Sequence, residues 1–185
     1  HDATNIVDGD VAILTNVAFD HMAYLGQTLS EIGLNKAGIF RPQKKAIVAS
    51  PPPQSVIDYA NRIGTSLSIY DPHDSLNSGH PTLAPELQWA VMQAVTSLQP
   101  RLPMTMPEPK HFTSLKLSNR FEAQSASGLT WLFDNAHNPA SCDYLLRLIQ
   151  KRRPNQRFIA LFSAFNDKPI ACLLYTSDAA DDVRG

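Results

Sequence analysis

The sequence predicts an α/β protein. Three observations predict it. Short β-branched apolar runs alternate with helical patterns over the first hundred residues. Four prolines within ten residues then interrupt the chain. Beyond them a strand, a polar turn and a capped helix follow one another in the order of a βαβ unit.

The elements follow in order. Val11-Ala-Ile-Leu-Thr-Asn-Val17 reads as a strand buried on both faces of a parallel sheet. Asp20 and His21 come directly after it, at its carboxyl end. Thr28-Leu-Ser-Glu31 has capping-box spacing and opens a helix to about Lys36, which Gly38 ends. Ala46 to Ala49 is a second buried strand. After Pro51-Pro-Pro53, a helix from Val56 to Ile63 is closed by Gly64, and Leu67 to Tyr70 is a third strand. Residues 71–82 read as a loop. Leu87, Val91, Ala94, Val95 and Leu98 then recur at helical spacing. Pro100, Pro103, Pro107 and Pro109 exclude regular structure and mark a domain boundary.

Past that boundary, Phe112 to Phe121 reads as extended and Thr130-Trp-Leu-Phe133 as a strand ending at Asp134. Asn138 and Pro139 suit the N-cap and first position of a helix to about Lys151. Phe158 to Phe162 reads as the returning strand of a βαβ crossover. Ligands of such sheets sit beyond the carboxyl ends of strands, where Asp134, His137 and Asn138 fall.

Bulk properties exclude several classes. Of 185 residues, 43% are hydrophobic and 18% charged, enough to bury a core. A net charge of −1 gives no reason to expect a nucleic acid or a membrane surface as partner. The basic run Arg147, Lys151, Arg152, Arg153 and Arg157 reads as a solvated helix end. Cys142 and Cys172 have neither metal spacing nor a disulfide framework, which suits a reducing cytoplasm. No apolar stretch approaches the ~20 residues of a membrane span. His1-Asp-Ala-Thr-Asn5 carries no initiator Met and no signal pattern, and reads as the inside of something larger.

Three clusters carry candidate chemistry. The first joins Phe19-Asp-His-Met-Ala-Tyr-Leu-Gly26 to Ile32-Gly-Leu-Asn-Lys-Ala-Gly-Ile-Phe-Arg41. His21 there suits a metal ligand or a capped loop residue, and Lys36 a snorkelling side chain or a desolvated amine. The second, Asp134-Asn-Ala-His-Asn-Pro139, suits a phosphate site, because a helix N-terminus offers free N–H groups and positive dipole; it equally suits an N-capped turn. The third, Asn166-Asp-Lys-Pro169, is a polar loop at the same sheet edge or an ordinary turn.

These motifs resemble, in type and order, the folylpolyglutamate synthase/dihydrofolate synthase family. The residues that carry the resemblance are Asp2-Ala-Thr-Asn5, Asp20-His with Leu25-Gly26, and Ile32-Gly with Lys36-Ala-Gly-Ile-Phe-Arg41. Asn119-Arg-Phe-Glu122, Phe133-Asp-x-Ala-His-Asn-Pro139 and Asp167-Lys168 complete the set. The resemblance spans roughly residues 1–172 and is thin between about 70 and 115.

It implies a Mur-ligase-like protein with a central P-loop ATPase-type domain followed by a Rossmann-like C-terminal domain. Residues 1–110 would be the later part of the first, 111–172 the start of the second, and 173–185 a non-native tail. The implied reaction is attack of a folate or dihydropteroate carboxylate on ATP, giving an acyl phosphate that L-glutamate converts to an amide, with Mg2+. By the same resemblance His21 matches a magnesium ligand and Lys36 a carbamylated lysine, whose anionic oxygens would suit a hard cation. Arg120 matches a phosphate contact, Asp134 a ribose or metal-shell contact, and His137 a residue facing the phosphates. Gln88 falls where an adenine-side Asn is usual. The resemblance further implies a cytoplasmic monomer.

Departures accompany these matches. The segment between Lys36 and Gln88 is short for the family, and Pro169 stands where an acidic residue is common. The Gly-rich phosphate loop would lie upstream of His1, so these residues alone are expected to be inactive. Two other readings stay open: another Mur-like amino-acid ligase, and a non-catalytic nucleotide-binding module.

Overall fold

A computed structural model of the chain describes residues 3–73, 83–113, 115, 117–161 and 163. The motif residues 166–169, Cys172 and the tail from 173 lie outside the described residues. The chain divides into two compact units between Leu115 and Lys116.

The first unit is built on a parallel sheet of three strands, β1 (Val11–Leu14), β2 (Lys45–Val48) and β3 (Ser66–Ile69), in spatial order β1-β2-β3. Val11 pairs with Lys45 and Lys45 with Ser66, so all three strands run in step. Parallel neighbours need a crossover. Helices α1 (Met22–Leu25) and α2 (Leu29–Ala37) lie between β1 and β2 in the chain, and α3 (Gln54–Ile63) lies between β2 and β3. Helix α4 (Pro85–Leu98) and the short α5 (Pro109–Thr113) follow.

Side chains alternate across a strand, and β2 uses both faces. Ala46 and Val48 pack with Leu14, Ala37, Phe40, Val56 and Ala60, on the side of α2 and α3. Ile47 and Ala49 pack with Trp89 and Ala90 of α4, where Tyr70 meets Trp89 edge-on at 5.5 Å. The sheet is therefore a middle layer between helices. The expectation of a strand buried on both faces holds for β2 but not for β1, whose Ile13 is exposed. Among the described residues β1 pairs with β2 alone and is an edge.

Local chemistry explains the helix ends. Thr28 Oγ1 accepts from Glu31 N–H and the Glu31 carboxylate accepts from Thr28 N–H, completing the expected box at the start of α2. Gly64 closes α3 at φ 70°, the left-handed conformation that glycine adopts without steric cost. Gly38 ends α2 differently, in right-handed geometry at φ −55°. A Cβ there would meet the Asn5 side-chain amide, so a larger residue would require that side chain to shift.

In the second unit, β4 (Glu122–Ala126) and β5 (Leu129–Phe133) form an antiparallel hairpin, with Ala126 opposite Leu129. Ser127 and Gly128 make the turn at φ 54° and 74°, the primed geometry that matches strand twist. Helix α6 (Pro139–Arg152) follows, with Asn138 as N-cap and Ser141 completing a capping box.

Two expectations fail here. Phe112 to Phe121 is not extended: α5 runs to Thr113, and the later residues turn into β4. The extended segment is instead the polar Glu122–Ala126, which its weak strand composition concealed. Nor does the described chain form a βαβ crossover around α6. β5 pairs antiparallel with β4, residues 158–161 lie in no strand, and Phe162 lies outside the described residues. The basic run, by contrast, is a solvated helix end: Arg147 pairs with Asp143 one turn back at 2.7 Å.

Gly33 is the point of closest approach between α2 and α3. A Cβ there would lie 2.8 Å from Val56 Cγ2 and 3.4 Å from Pro53 Cγ. We expect Gly33→Ala to lower stability by about 1–3 kcal/mol, the usual cost of overpacking. Urea unfolding checks this; an unchanged midpoint would show that the two helices can separate freely.

Candidate functional site

Each sequence motif separates into residues that hold the backbone and residues left available. In the first unit the holder is Arg41. Its Nη1 donates to Gly38 O at 2.8 Å and to Phe40 O at 2.9 Å. Its Nη2 donates to Asn5 O at 2.6 Å and to Val7 O at 2.7 Å, and Nε lies 3.3 Å from Asp8 Oδ1. The carbonyls after α2 are thereby tied to the segment around the 3-10 turn Ala3–Ile6. Phe40 and Ala37 are buried in the core. The side-chain amide of Asn5 donates to Asn35 O at 2.9 Å, while its Oδ1 is buried without a partner among the described residues. Of the run Lys36 to Arg41, the Lys36 side chain is left: the residue is half-buried, and its amine makes no hydrogen bond or ion pair among the described residues.

His21 opens the single turn α1 in left-handed geometry, φ 50° and ψ 37°. Its N–H donates to Asp20 Oδ1 at 2.9 Å, and its Nε2 lies 3.9 Å from the same oxygen. The His21 side chain is 54% exposed and that of Asp20 15%, so the carboxylate is held in while the imidazole faces outward. The turn leads into a loop gathered by Glu31, whose Oε2 accepts from Gln27 N–H at 2.7 Å and Thr28 N–H at 3.1 Å. Those two bonds, Gln27 first, hold the Glu31 carboxyl below its ordinary pKa of 4.5.

Gln88 does not present itself to a ligand from this unit. It is 2% exposed, in the α4 core, and its Nε2 donates to Leu83 O at 2.7 Å. A buried amide must find internal partners, so Gln88 anchors the entry to α4. A cleft of about 140 Å³ lies at the amino ends of β1 and β2, lined by Asp10, Lys44, Lys45 and Arg101. It sits at the opposite ends of the strands from His21. Its charged groups are already engaged: Arg101 meets Asp10 at 2.6 Å, Lys44 meets Asp8 at 3.2 Å, and Lys45 Nζ donates to Ser68 Oγ at 2.6 Å.

The second unit repeats the division of labour. Asn119 and Phe121 both have positive φ, 53° and 51°, which is costly for a bulky residue such as Phe. Two carboxylates hold that bend. Glu122 Oε2 accepts from Asn119 N–H at 2.9 Å, and Asp134 Oδ2 accepts from Phe121 N–H at 2.8 Å. The Asn119 bond, aided by Gln124, holds the Glu122 carboxyl below its ordinary range. Asp134 Oδ1 also accepts from Ala136 N–H at 2.8 Å, and the Arg152 guanidinium lies 5.9 Å from the Phe121 ring centre. Asn119, Phe121 and Glu122 are thus spent on the bend. Arg120 is exposed at its apex, its side chain without a hydrogen bond or ion pair among the described residues.

The expected free N–H groups at the start of α6 are largely taken. His137 N–H and Asn138 N–H both donate to Ser141 Oγ, and Ser141 N–H donates to Asn138 Oδ1. Pro139 has none. His137 is exposed, its Nδ1 2.9 Å from Asn135 O. Cys142, beneath this turn, has its thiol pKa raised by burial and then by the Asp134 charge, so it stays protonated.

The side chains that the structure leaves available are therefore His21, Lys36 and Arg120, whereas His137, Gln88 and Asp134 are engaged by the fold. Asn35, Arg41 and Ser141 are organisers that the sequence did not single out. Arg41 stood in a recognised motif, and Ser141, three residues after Asn138, had capping spacing. Nothing local marked Asn35. Among the described residues no group of three or more His, Cys, Asp or Glu could hold a metal ion. His21 fits one place in such a shell by donor chemistry: an imidazole, exposed and beside the Asp20 carboxylate.

A parallel sheet layered between helices, with available polar groups beyond a strand end, defines an α/β protein of the doubly wound, ligand-binding kind. No protein-family profile matches the chain. It is 33% identical to the dihydrofolate synthase/folylpolyglutamate synthase of Escherichia coli (strain K12), over 98% of this chain and 47% of that protein. Among solved structures, E. coli FolC in complex with DHPP and ADP superposes with a TM-score of 0.79 at 32% identity, over 96% of this chain and 47% of that one. A bifunctional folylpolyglutamate synthase/dihydrofolate synthase with Mn, AMPPNP and L-glutamate bound gives 0.77 at 28%, over the same shares. By sequence and by fold the chain is similar to members of the folylpolyglutamate synthase/dihydrofolate synthase family. It spans about half the length of the relatives it matches.

Two predictions follow from the holding carboxylates. A depressed pKa in the folded state means that the Glu31 contribution is present above the unfolded value and is lost as pH falls through the folded one. Acidification should therefore lower the amide protection factors at Gln27 and Thr28, and Glu31→Gln should already show low protection at neutral pH. Undiminished protection factors in the variant would contradict this. Asp134→Ala strands two donors and should destabilise the second unit by about 2–3 kcal/mol without any nucleotide present. Thermal unfolding that matches the unmodified chain would remove the structural role.

Proposed function

We propose that this chain is a segment of an ATP-dependent carbon–nitrogen ligase that adds L-glutamate to folate or dihydropteroate. The observation that carries the reading is a likeness spanning nearly the whole chain to proteins so named, one solved with DHPP and ADP, another with Mn, AMPPNP and L-glutamate. The reaction balances as two displacements. A substrate carboxylate oxygen attacks the γ-phosphorus of ATP and ADP leaves. The glutamate amine then attacks the acyl phosphate carbon, phosphate leaves, and the amine gives up a proton.

In this reading residues 1–110 belong to an ATPase-type domain and 111–172 begin a Rossmann-like one. A divalent cation, Mg2+ in the cell, would supply charge neutralisation on the phosphates. His21 would hold it through an imidazole nitrogen, and Lys36, as a carbamate, would contribute anionic oxygen. The Lys36 side chain, without an ion pair among the described residues, leaves room for that modification. Arg120, exposed on its braced bend, meets phosphate oxygens, and His137 lies in the adjoining turn. Asp134 acts mainly by holding that bend, leaving only its remaining lone pairs for a ribose. We read the protein as a cytoplasmic monomer; among the described residues no helix is long and apolar enough to cross a membrane.

The test is Lys36→Ala in the full-length protein. We expect glutamate addition to fall by about 10²–10³-fold, the usual cost of losing one charge-stabilising group, with the melting temperature unchanged. Undiminished turnover would refute the assigned role.

A further inference from the structure

Helix α1 is a single turn of four residues, too short to hold its own conformation. Four links fix it: the burial of Leu25, the Glu31 carboxylate on the loop behind it, Gln27 Nε2, which donates to Met22 O at 3.1 Å, and Asn35. Asn35 Nδ2 donates to Leu25 O at 2.7 Å, across ten positions of sequence, and lies 3.3 Å from Glu31 O within its own helix. The Asn35 carbonyl in turn accepts from Asn5 Nδ2 at 2.9 Å.

Glu31 is accounted for by the capping box of α2. Asn35 is not. It stands inside a helix, where asparagine is less favourable than alanine by up to about 0.7 kcal/mol, and it caps nothing. Its side chain ends the His21-bearing turn, and its backbone immediately precedes Lys36. One residue thus joins the two elements that carry the candidate metal-holding groups.

We propose that Asn35 is a positioning residue that sets the His21-bearing turn against the Lys36-bearing helix for divalent-cation binding. The proposal rests on the reading of His21 as a cation ligand given above. Groups behind a metal ligand usually carry about 10–100-fold in metal affinity or activity.

The experiment measures Mn2+ binding to the full-length protein by electron paramagnetic resonance, alongside glutamate-addition kinetics. The variants are His21→Ala, Asn35→Ala, Asn35→Gln and, as a stability control, Ile47→Val in the buried middle strand. Asn35→Ala should weaken Mn2+ at least about tenfold and lower kcat, while KM for ATP moves less than about twofold. Ile47→Val should leave Mn2+ affinity unchanged. Asn35→Gln, whose amide sits one methylene further out, should fall between; it carries the test if the alanine variant does not fold. Unaltered Mn2+ affinity in the Asn35 variants, with His21→Ala impaired, overturns this proposal alone. An equal loss in Ile47→Val overturns it as mere destabilisation. Unaltered affinity in His21→Ala overturns the cation reading itself, and this proposal with it.

Discussion

The guanidinium of Arg41 is the constraint on which the first unit depends. Four carbonyl oxygens, two following α2 and two near the start of the chain, converge on one planar cation, with Asp8 alongside. Arginine suits this task because its donors are fixed in a plane and its charge is permanent. With those backbones drawn together, the Asn5 side-chain amide comes so near residue 38 that a Cβ there would have to displace it. The same closure sends Phe40 into the core beneath β2. Lys36 is placed by this arrangement without taking part in it.

The second unit solves a comparable problem with carboxylates. Its bend at residues 119–121 carries two non-glycine residues at positive φ, and such strain persists only when neighbours over-determine it. Glu122 and Asp134 do so by accepting backbone N–H groups, bonds roughly twice as strong as neutral ones. Glu31 does the same behind His21. In both units an anionic side chain is spent on a loop, and a neighbouring side chain is freed for chemistry. Chemically suggestive residues are thereby not all equal. Asp134 looked like a ligand contact and is first a structural acceptor.

Much of the first unit was legible in the sequence because its signals are local. The Thr28–Glu31 box, the Gly64 terminator and the β-branched run of β2 each reflect preferences set within a few residues. The same holds for Asn138 and Pro139 at the start of α6. The hairpin was not legible. Glu122–Ala126 is a polar, alanine-containing strand that exists because β5 lies opposite it, and pairing is a non-local property. Phe112 to Phe121 misled for the converse reason, being apolar and aromatic without a strand to pair with.

The sequence by itself determined which groups could do chemistry: an imidazole after a strand, an amine at a helix end, a guanidinium in a turn. It also determined the helix and strand periods, since these follow from the residue-by-residue alternation of apolar and polar side chains. Only the tertiary structure decided which of those groups are at liberty. Gln88 is engaged by Leu83 and Asp134 by Phe121 and Ala136, while Lys36 and Arg120 are held clear. Whether a polar atom is spent depends on what the folded chain brings within about 3 Å of it. For Arg41 and Asn35 those partners lie many residues away, and only folding brings them near.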